Sequence, residues 1–588
     1  MPKLWKIKTK IPEELVVQYS NHDPLLAQLL HNRGLVDPEA ITAFLNPEYE
    51  GLHSPLLFKD MQKAVERIER AIEKKEKITI YGDYDADAVT ANAVLRQTFA
   101  ALGHENIESY IPDRFSEGYG VNLESVARIK DQGSSVIITV DCGTNSTDVA
   151  DFCLQNNIDF IITDHHEIIG ELPKAYALIN PKNPNDAYPD MNITGVGVAF
   201  KMACAILNKL KVKSLKLKVI EGWEKWLLDL VAIGTVADCH ALLGENRIFV
   251  KYGLKVLQKT RWPGLKALVA SSGLNFSERT PDSYTLGFVI APRLNAAGRL
   301  EHADLALDLL LEKDSAIAGQ KVLSLEAINR RRQDATARML SEAREQALFL
   351  KDRKVLVLKS ENWHKGVVGL VAGKIAEEFS RPAIVLAAEG PQITGSARSV
   401  GEFDIVAALK HSGHYLVRFG GHKQAAGLTL EDANFEPFYR SLLEYAEINL
   451  SADDLERSLE LEAELMPESL TLKVFDNLKL LGPFGVGNPS PKFLLKNARI
   501  VSQKQVGADG RHLQMQIVTG EKTLPGIAFS FKPVSLDKSC DIACELLEDG
   551  WNGRKQLKLK IIDIRTYAPP LSNPAEPESK SGFGQFLR

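Results

Sequence analysis

Short apolar runs that end at an acidic or imidazole side chain recur through the first half of the chain. Three of these runs, near residues 77–81, 135–140 and 158–163, are rich in Ile and Val and predict buried parallel strands. Helix-forming segments separate them, so the alternation predicts a mostly parallel, doubly wound sheet. Open α/β sheets place their ligand-binding cleft at the carboxyl ends of the strands, where these polar side chains follow.

The pattern changes twice in the rest of the chain. A long proline-free stretch rich in helix formers predicts a connector helix, and a second α/β pattern follows it. Later segments alternate apolar and polar residues between turns, which is typical of an antiparallel barrel. We therefore predict an α/β multidomain protein with an N-terminal segment (1–60), a parallel-sheet module (61–250), a helical connector (251–348), a smaller α/β module (349–450), a β-barrel (455–566) and a flexible tail (567–588).

The polar residues that end the apolar runs are candidate metal ligands. Carboxylates and imidazoles without thiolates suit Mg²⁺ or Mn²⁺, and several clustered Asp side chains would repel one another unless cations held them. Two such ions can activate a water molecule for phosphodiester hydrolysis. Any one Asp could equally be a turn former or a helix N-cap. The candidates are Asp83, Asp85, Asp87, Asp141, Asp164, His165, His166 and Asp238.

Composition and charge narrow the class of protein. The 588 residues are 45% hydrophobic and 25% charged, which is ordinary for a globular protein. No apolar run approaches the ~20 residues that cross a bilayer, and the first residues lack the apolar stretch of a secretory signal. The six cysteines show no CxxC spacing, which favours reduced thiols. We expect a cytoplasmic protein without membrane association.

A net charge of -5 is unusual for a nucleic-acid-binding protein, but an acidic metal cluster would cancel cations elsewhere. The strongest local positive stripe lies in the predicted connector helix, at Arg330, Arg331, Arg332 and Arg338. This stripe is either a solvated helix face or one wall of a channel for a phosphate backbone.

Several motifs resemble known families. The stretch TDHHE, after GDYDAD and VDCG and before GTVAD, resembles the four motifs of the DHH phosphoesterase superfamily. NWHKGVVGLVAGKIA, GSARS and FGGHKQAAG resemble the DHH-associated domain, while IPDRFSEGYG, APRLNAAGRL and PFGVGNPSPKF resemble the RecJ family of bacterial single-strand-specific 5′-to-3′ exonucleases. The resemblance runs from about residue 45 to about residue 565. It implies a DHH-type sheet module, a DHH-associated module and an OB-type barrel.

The resemblance also implies two divalent ions, Mn²⁺ or Mg²⁺. Asp83 and Asp85 would hold one ion, Asp141 would bridge, and the other ion would be held by Asp87, His165 and Asp238. Which of Asp83 and Asp85 binds more directly stays open, as does the choice of metal. Asp141 and His165 would be catalytic as well as metal-binding.

Two neighbouring residues have other implied roles. Asp164 would orient a ligand or cap the following turn, and His166 would contact the scissile phosphate as a third catalytic residue.

The implied substrate is single-stranded DNA, degraded 5′ to 3′ to mononucleotides in repair and recombination. Guanidinium and hydroxyl groups would bind the terminal 5′ phosphate, and an aromatic ring would stack a base without reading its identity. The implied substrate-binding residues are Arg114, Tyr119, Arg293, Ser396, Arg398 and His422.

Three alternatives share parts of this pattern. They are a phosphodiesterase of short oligonucleotides or cyclic dinucleotides, a soluble pyrophosphatase, and a non-catalytic relative that binds single-stranded DNA. The first two need neither a terminal barrel nor a long connector, and the third would have lost ligands. The resemblance further implies that the protein works beside a single-strand-binding protein and a RecQ-type helicase, and we expect a monomer.

Overall fold

The computed structural model describes residues 3–213, 220–278, 280–507, 509–551 and 554–566. These residues form two compact units. The larger unit consists mainly of Thr42–Arg457 with Gly482–Pro489, and the smaller unit consists of Trp5–Ile41, Ser458–Leu481 and the chain from Ser490 onward. The predicted flexible tail, 567–588, lies outside the described residues.

Helices and strands alternate through most of the chain. The α-helices are α1 (Pro24–Asn32), α2 (Pro38–Leu45), α3 (Met61–Lys74), α4 (Ala86–Ala101), α5 (Leu123–Asp131), α6 (Thr147–Gln155), α7 (Gly195–Lys213), α8 (Leu228–Ala237), α9 (Gly244–Leu257), α10 (Pro263–Ser271), α11 (Ala291–Leu300), α12 (Asp304–Leu311), α13 (Ser315–Phe349), α14 (Val368–Phe379), α15 (Ile405–His411), α16 (Phe435–Asn449) and α17 (Leu472–Lys479). The strands are β1 (Leu4–Ile7), β2 (Ile78–Gly82), β3 (Ile107–Tyr110), β4 (Val136–Val140), β5 (Asp159–Thr163), β6 (Ala177–Ile179), β7 (Leu356–Ser360), β8 (Ala383–Glu389), β9 (Gln392–Arg398), β10 (Leu416–His422), β11 (Ala425–Glu431), β12 (Ser458–Leu461), β13 (Ala463–Glu464), β14 (Phe493–Val506), β15 (His512–Thr519), β16 (Lys522–Ala528), β17 (Ser539–Trp551) and β18 (Arg554–Thr566).

The first sheet has the spatial order β3, β2, β4, β5, β6, and every neighbouring pair is parallel. Helices α3, α4, α7 and α8 pack on one face, and α5 and α6 pack on the other. Because both faces are covered, β2 and β4 are buried along their whole length and appear as unbroken apolar runs in the sequence. The predicted doubly wound parallel sheet is confirmed.

The long helix α13 joins two apolar cores of the larger unit. Its first half places Ala318, Val322 and Leu325 in the core of the first module, and its second half places Met339 and Leu340 against the second module. Asp314 caps the helix by accepting hydrogen bonds from two backbone amides of the first turn. One rigid element therefore carries the second module on the first.

The second module is a mixed sheet in the order β10, β11, β9, β8, β7. β7 and β8 are parallel, and the other neighbouring pairs are antiparallel. Helix α14 packs on one face of this sheet, and α15 and α16 pack on the other. This arrangement agrees with the predicted smaller α/β module.

The smaller unit contains a barrel that closes because β14 pairs with both β15 and β17. The remaining strands follow in the order β16, β18, β17, so five strands form the closed wall. The sequence predicted an antiparallel barrel, and the structure differs at one pair, because β16 and β18 run parallel.

The predicted N-terminal segment 1–60 divides between the two units. Residues from Trp5 to Ile41 belong with the barrel, and those from Thr42 belong with the first module. Within the smaller unit, the Trp5 indole donates to Asp563 at 2.9 Å, and the Asn32 amide donates to the Glu462 carbonyl at 2.9 Å. These polar anchors hold the N-terminal helix to the barrel. Among the described residues, no helix combines the length and the apolarity that crossing a membrane requires.

A buried carboxyl in α8 should make the stability of the fold depend on pH. Asp229 is fully buried and accepts hydrogen bonds from Thr260 at 2.6 Å and from the Trp262 indole at 3.1 Å. Burial raises the pKa of Asp229 to about 6. Because this folded-state pKa exceeds the unfolded value of about 4, the stabilising contribution is complete below pH 4 and is lost as pH rises through 6.

We therefore expect Asp229→Asn to gain stability relative to the unmodified chain between pH 4 and pH 7, by up to about 2–3 kcal/mol. The measurement is the difference in Tm between the two proteins across that pH range. Asp148→Asn, at an exposed position on α6, is the matched control. Parallel Tm profiles for Asp229→Asn and the unmodified chain would contradict the assignment.

Candidate active site

Three acidic residues follow three neighbouring strands of the first sheet. β2, β4 and β5 end at the same level, because Gly82 pairs with Val140 and Val140 pairs with Thr163. The next residues are Asp83, Asp141 and Asp164. The strand order reverses between β2 and β4, so Asp83 and Asp141 stand at the topological switch point, where such sheets bind ligands.

Helix termini bring further carboxylates to this edge. Asp85 caps α4 by accepting from the amides of Asp87 and Ala88 at 2.9 and 3.1 Å. Asp87 in turn accepts from the amides of Gly195 and Val196, at the start of α7, at 2.8 and 3.1 Å. The first turn of α4 is therefore locked against α7.

Glycine is required where α7 begins. A methyl group at Gly195 would lie 2.6 Å from a carboxylate oxygen of Asp141. Asp141 itself has a φ of 60°, in the left-handed region, which turns the chain sharply after β4. The two features together allow the Asp141 carboxylate to lie directly against the end of α7.

His165 lies at the centre of the carboxylates. Its Nε2 is 3.0 Å from Asp141 Oδ1, 3.5 Å from Asp238 Oδ2 and 3.9 Å from Asp87 Oδ2. Asp238 reaches this point from the C-terminal end of α8. Side chains from three separate elements thus converge on one imidazole.

Several buried atoms of this cluster have no hydrogen-bond partner among the described residues. Both ring nitrogens of His165 are buried and unpartnered, as are one oxygen each of Asp83, Asp141 and Asp238. Burial, with repulsion from neighbouring carboxylates, raises the pKa of Asp83, Asp141 and Asp238 well above the usual value. Bound cations would relieve both the missing contacts and the repulsion. Oxygen ligands with imidazole fit Mg²⁺ or Mn²⁺.

Asp164 faces away from this cluster and holds its neighbours. It accepts from His166 Nδ1 at 2.7 Å, from the His165 amide at 2.7 Å and from the Thr144 amide at 2.9 Å. Burial alone would raise the pKa of Asp164, but these donors leave it below its usual range. The second ring nitrogen of His166 lies 2.8 Å from the Tyr119 hydroxyl. Asp164 therefore orients the His166 ring.

His240 joins the site although the sequence analysis did not select it. Its Nε2 lies 3.2 Å from Asp238 Oδ2, and its ring centroid lies 4.8 Å from that of His165. His165, Asp238 and His240 can present ligand atoms within 4.8 Å of one another, as can Asp141, His165 and His166. The sequence did contain one signal for His240, which is its position two residues after the predicted ligand Asp238.

A group of arginines lies beside the carboxylates. Burial, together with the charges of Arg114, Arg332 and Arg398, lowers the pKa of Arg299 to about 10. Arg299 ends α11, and the sequence analysis did not select it as a substrate-binding residue. Positive charge from the first module, α11, α13 and the second module is thus concentrated at one place.

Two glycines allow the close packing that assembles this group. A methyl group at Gly298 would lie 2.4 Å from the Tyr84 carbonyl oxygen, and one at Gly366 would lie 1.9 Å from the Arg299 carbonyl oxygen. α11 therefore packs directly on the loop of Asp83 and Asp85, and the second module packs directly on α11.

Ser396 and Arg398 lie on β9 of the second module. An Nη1 of Arg398 donates to Ser396 Oγ at 2.7 Å. Arg398 pairs with Ala425, which pairs with His422, so these three residues share one face of the sheet. His422 is exposed on the edge strand.

Arg114 and Tyr119 lie in the loop after β3. The Arg114 guanidinium stands 4.7 Å from the centroid of the Tyr84 ring, and Tyr84 contacts Tyr119 edge to face. Tyr119 is 60% exposed, so a ring face is available to a ligand.

Arg293 lies near enough to Arg332 for its charge to lower the pKa of Arg332, but its guanidinium is bound by other groups. Arg293 donates to Glu326 at 2.7 Å and to the Val289 carbonyl at 2.6 Å. Arg331 pairs with Glu301 at 2.8 Å, and Arg330 and Arg338 are exposed on α13. Of the predicted stripe, Arg332 is the member whose charge acts on Arg299.

Comparison with known proteins agrees with this architecture. Family models match three successive regions: the DHH family N-terminal domain at residues 77–235, the DHHA1 domain at 352–447 and the RecJ OB domain at 461–563. The single-stranded-DNA-specific exonuclease RecJ of Bacillus subtilis is 38% identical over 550 residues, covering 92% of this chain and 68% of that protein. The protein of the same name from Escherichia coli is 31% identical, covering 92% of this chain and 96% of that protein.

A solved structure is also similar. The crystal structure of RecJ in complex with Mn²⁺ from Thermus thermophilus has a TM-score of 0.82 and 30% identity, and the match covers 96% of this chain and 80% of that one. The RecJ structure with Mg²⁺ from the same organism has a TM-score of 0.76. Given three domain matches in order and this identity over most of its length, the chain belongs to the RecJ family.

Proposed function

We propose that this protein is a divalent-metal-dependent exonuclease that degrades single-stranded DNA from its 5′ end and releases mononucleotides. The observation that carries the proposal is the buried cluster around His165, in which carboxylate and imidazole atoms converge and several of them have no hydrogen-bond partner among the residues that the structure describes. The names of its relatives, which are single-stranded-DNA-specific exonucleases, support the substrate.

Two ions, Mn²⁺ or Mg²⁺, would fit this cluster. Asp83 and Asp85 would hold one, Asp141 would bridge, and the other would be held by Asp87, His165 and Asp238. When bound, the ions supply Lewis acidity and an activated water for hydrolysis of a phosphodiester. The ions would also offset the negative charge of the carboxylates, so that a phosphate anion can approach the site.

The remaining residues of the cluster orient the substrate. Asp164 holds His166 through Nδ1, which leaves Nε2 and the Tyr119 hydroxyl on the open side. We assign His166 to contact the scissile phosphate, where a second donor beside the metal ligands would stabilise charge on oxygen. Asp164 acts through His166 as a positioning residue.

The arginine group would determine the 5′-to-3′ direction of degradation. Arg114, Arg299 and Arg398 concentrate positive charge beside the carboxylates, and Ser396 adds a hydroxyl. A terminal 5′ phosphate carries more negative charge than an internal one and would bind such a group bidentately. Tyr119 would stack on a base without selecting its identity, and the exposed His422 would contact the strand.

The barrel would bind the single strand outside the active site, because OB-type barrels bind oligonucleotides along one face. We further infer a monomer that acts in the cytoplasm, in repair and recombination, beside a single-strand-binding protein and a RecQ-type helicase. These partners rest on the family resemblance.

One assay separates this function from the alternatives. End-labelled single-stranded DNA with and without a 5′ phosphate is compared with duplex DNA, short RNA, a cyclic dinucleotide and pyrophosphate, each with Mn²⁺ or Mg²⁺. We expect stepwise release of mononucleotides from the 5′ end of single-stranded DNA. Degradation from the 3′ end, or a preference for pyrophosphate or a cyclic dinucleotide, would overturn the proposal.

Asp141→Asn tests the metal cluster. Asn tolerates the left-handed backbone at this position, so the fold should be retained, while the lost charge should weaken metal binding. We expect hydrolysis to fall by about 10³-fold or more, since the metal ions supply several kcal/mol of transition-state stabilisation. The control is Asp148→Asn, and circular dichroism monitors the fold. Near-normal activity at saturating Mn²⁺ would rule out the bridging role.

Arg398→Ala tests whether the arginine group recognises the terminal 5′ phosphate. Charge-assisted hydrogen bonds contribute about 1.5–3 kcal/mol each, so we expect the kcat/KM ratio of 5′-phosphorylated to 5′-hydroxyl DNA to fall about 10- to 100-fold. Arg440→Ala, at an exposed position on α16, is the matched control. If the ratio is unchanged while overall activity falls, Arg398 does not recognise the terminal phosphate.

A further inference from the structure

The hydrogen-bond partner of His240 determines which ring nitrogen carries a hydrogen. Nδ1 of His240 lies 2.9 Å from the backbone carbonyl oxygen of Asn192. A carbonyl oxygen only accepts hydrogen bonds, so Nδ1 donates and Nε2 carries the lone pair in the neutral ring. The same carbonyl accepts from the Asn246 side-chain amide at 2.7 Å, and this amide also donates to the Ala241 carbonyl at 3.2 Å, which anchors the loop that carries His240.

The lone pair of His240 is directed at other acceptors. Nε2 lies 3.2 Å from Asp238 Oδ2, which lies 3.5 Å from Nε2 of His165. Asp238 Oδ2 has no hydrogen-bond partner among the described residues. Two electron-pair donors, Asp238 Oδ2 and His240 Nε2, therefore face each other at 3.2 Å, an arrangement that is repulsive unless a cation lies between them, and ligand atoms of His165, Asp238 and His240 all lie within 4.8 Å of one another.

The spacing of these atoms is that of ligands on a single ion. Ligands at 2.0–2.1 Å from an octahedral ion are about 3 Å apart along an edge. The backbone supports this placement, because Cys239 has a φ of 58° and the left-handed turn brings His240 back beside Asp238. A ligating histidine whose other nitrogen donates to a backbone carbonyl is the usual arrangement at protein metal sites.

We propose that His240 is an additional ligand, through Nε2, of the ion held by His165 and Asp238, and that this second imidazole favours Mn²⁺ over Mg²⁺ at that position. The proposal rests on the metal dependence proposed above. Mg²⁺ is a hard ion that prefers oxygen, whereas imidazole suits first-row transition ions. His240 in place of an oxygen or water ligand therefore shifts the metal preference of this site toward Mn²⁺. The other site keeps its carboxylate ligands, so its metal preference does not change.

His240→Asn is the first test, because Asn keeps a donor near the position of Nδ1 and removes Nε2. Mn²⁺ and Mg²⁺ binding are measured by calorimetry on the whole protein without DNA. We expect Mn²⁺ affinity at one site to fall about tenfold, the lower end of the effect of losing a ligand-orienting group, and Mg²⁺ affinity to change less than threefold. Equal losses for both ions, or no loss for either, would overturn the proposal.

Asn246→Ala is the matched control, because Asn246 donates to the same carbonyl and contributes no ligand. It loosens the loop but should leave the ratio of Mn²⁺ to Mg²⁺ affinities unchanged. If it reproduces the effect of His240→Asn, His240 only holds the loop and the proposal fails.

A spectroscopic measurement on the unmodified chain tests the proposal without depending on whether a substituted protein folds. Electron spin-echo modulation of bound Mn²⁺ detects coupled imidazole nitrogens, and we expect couplings from two histidines on one ion. Coupling from a single histidine would overturn the proposal. If the unmodified chain degrades 5′-ended single strands with Mn²⁺ but shows one coupled histidine, only this inference fails. If it binds neither ion, the proposed function fails with it.

Discussion

The repulsion among buried carboxylates is the constraint around which the larger unit is organised. Asp83, Asp87, Asp141 and Asp238 are held close together in a place from which water is largely excluded, and burial, with the repulsion added to it, raises the pKa of each carboxyl. Such an arrangement persists because backbone geometry and packing enforce it. The parallel sheet supplies part of the enforcement, since three strands end in register, and the amides of α7 supply another part by binding Asp87. The energetic cost of this arrangement is the driving force for cation binding.

Close backbone packing then links the cluster to the rest of the substrate-binding surface. Gly195, Gly298 and Gly366 each stand where a methyl group would lie within 3 Å of another residue. Through these contacts α7 lies against Asp141, α11 lies against the acidic loop, and the second module lies against α11. Arg299 and Arg398 thereby reach the carboxylates from different parts of the chain. In the proposed function, this separation of opposite charges would separate the place where a phosphate end binds from the place where a bond is hydrolysed.

The imidazoles of the site differ in role because their second nitrogens have different partners. His166 donates to the Asp164 carboxylate and His240 donates to a backbone carbonyl, whereas neither nitrogen of His165 has a partner in the part of the chain that the structure describes. Each partner determines which ring nitrogen is available to a ligand. The residues next to a histidine in the fold therefore decide its chemistry as much as its place in the cluster.

The sequence by itself determined the elements whose cause is local. Unbroken apolar runs predicted β2, β4 and β5 because both faces of that sheet are buried, and the acidic residues after them share an edge because the strands are parallel. The same local logic predicted α13 and the barrel strands. Tertiary structure alone decided what depends on a turn or on a close approach between distant segments. His240 enters the site through the left-handed turn at Cys239, and Arg299 through the packing that Gly298 permits. Arg293 is bound by Glu326, which is 33 residues away, and Trp5–Ile41 packs with a barrel formed by the other end of the chain. No local pattern encodes such contacts, because they form only once separate elements have folded together.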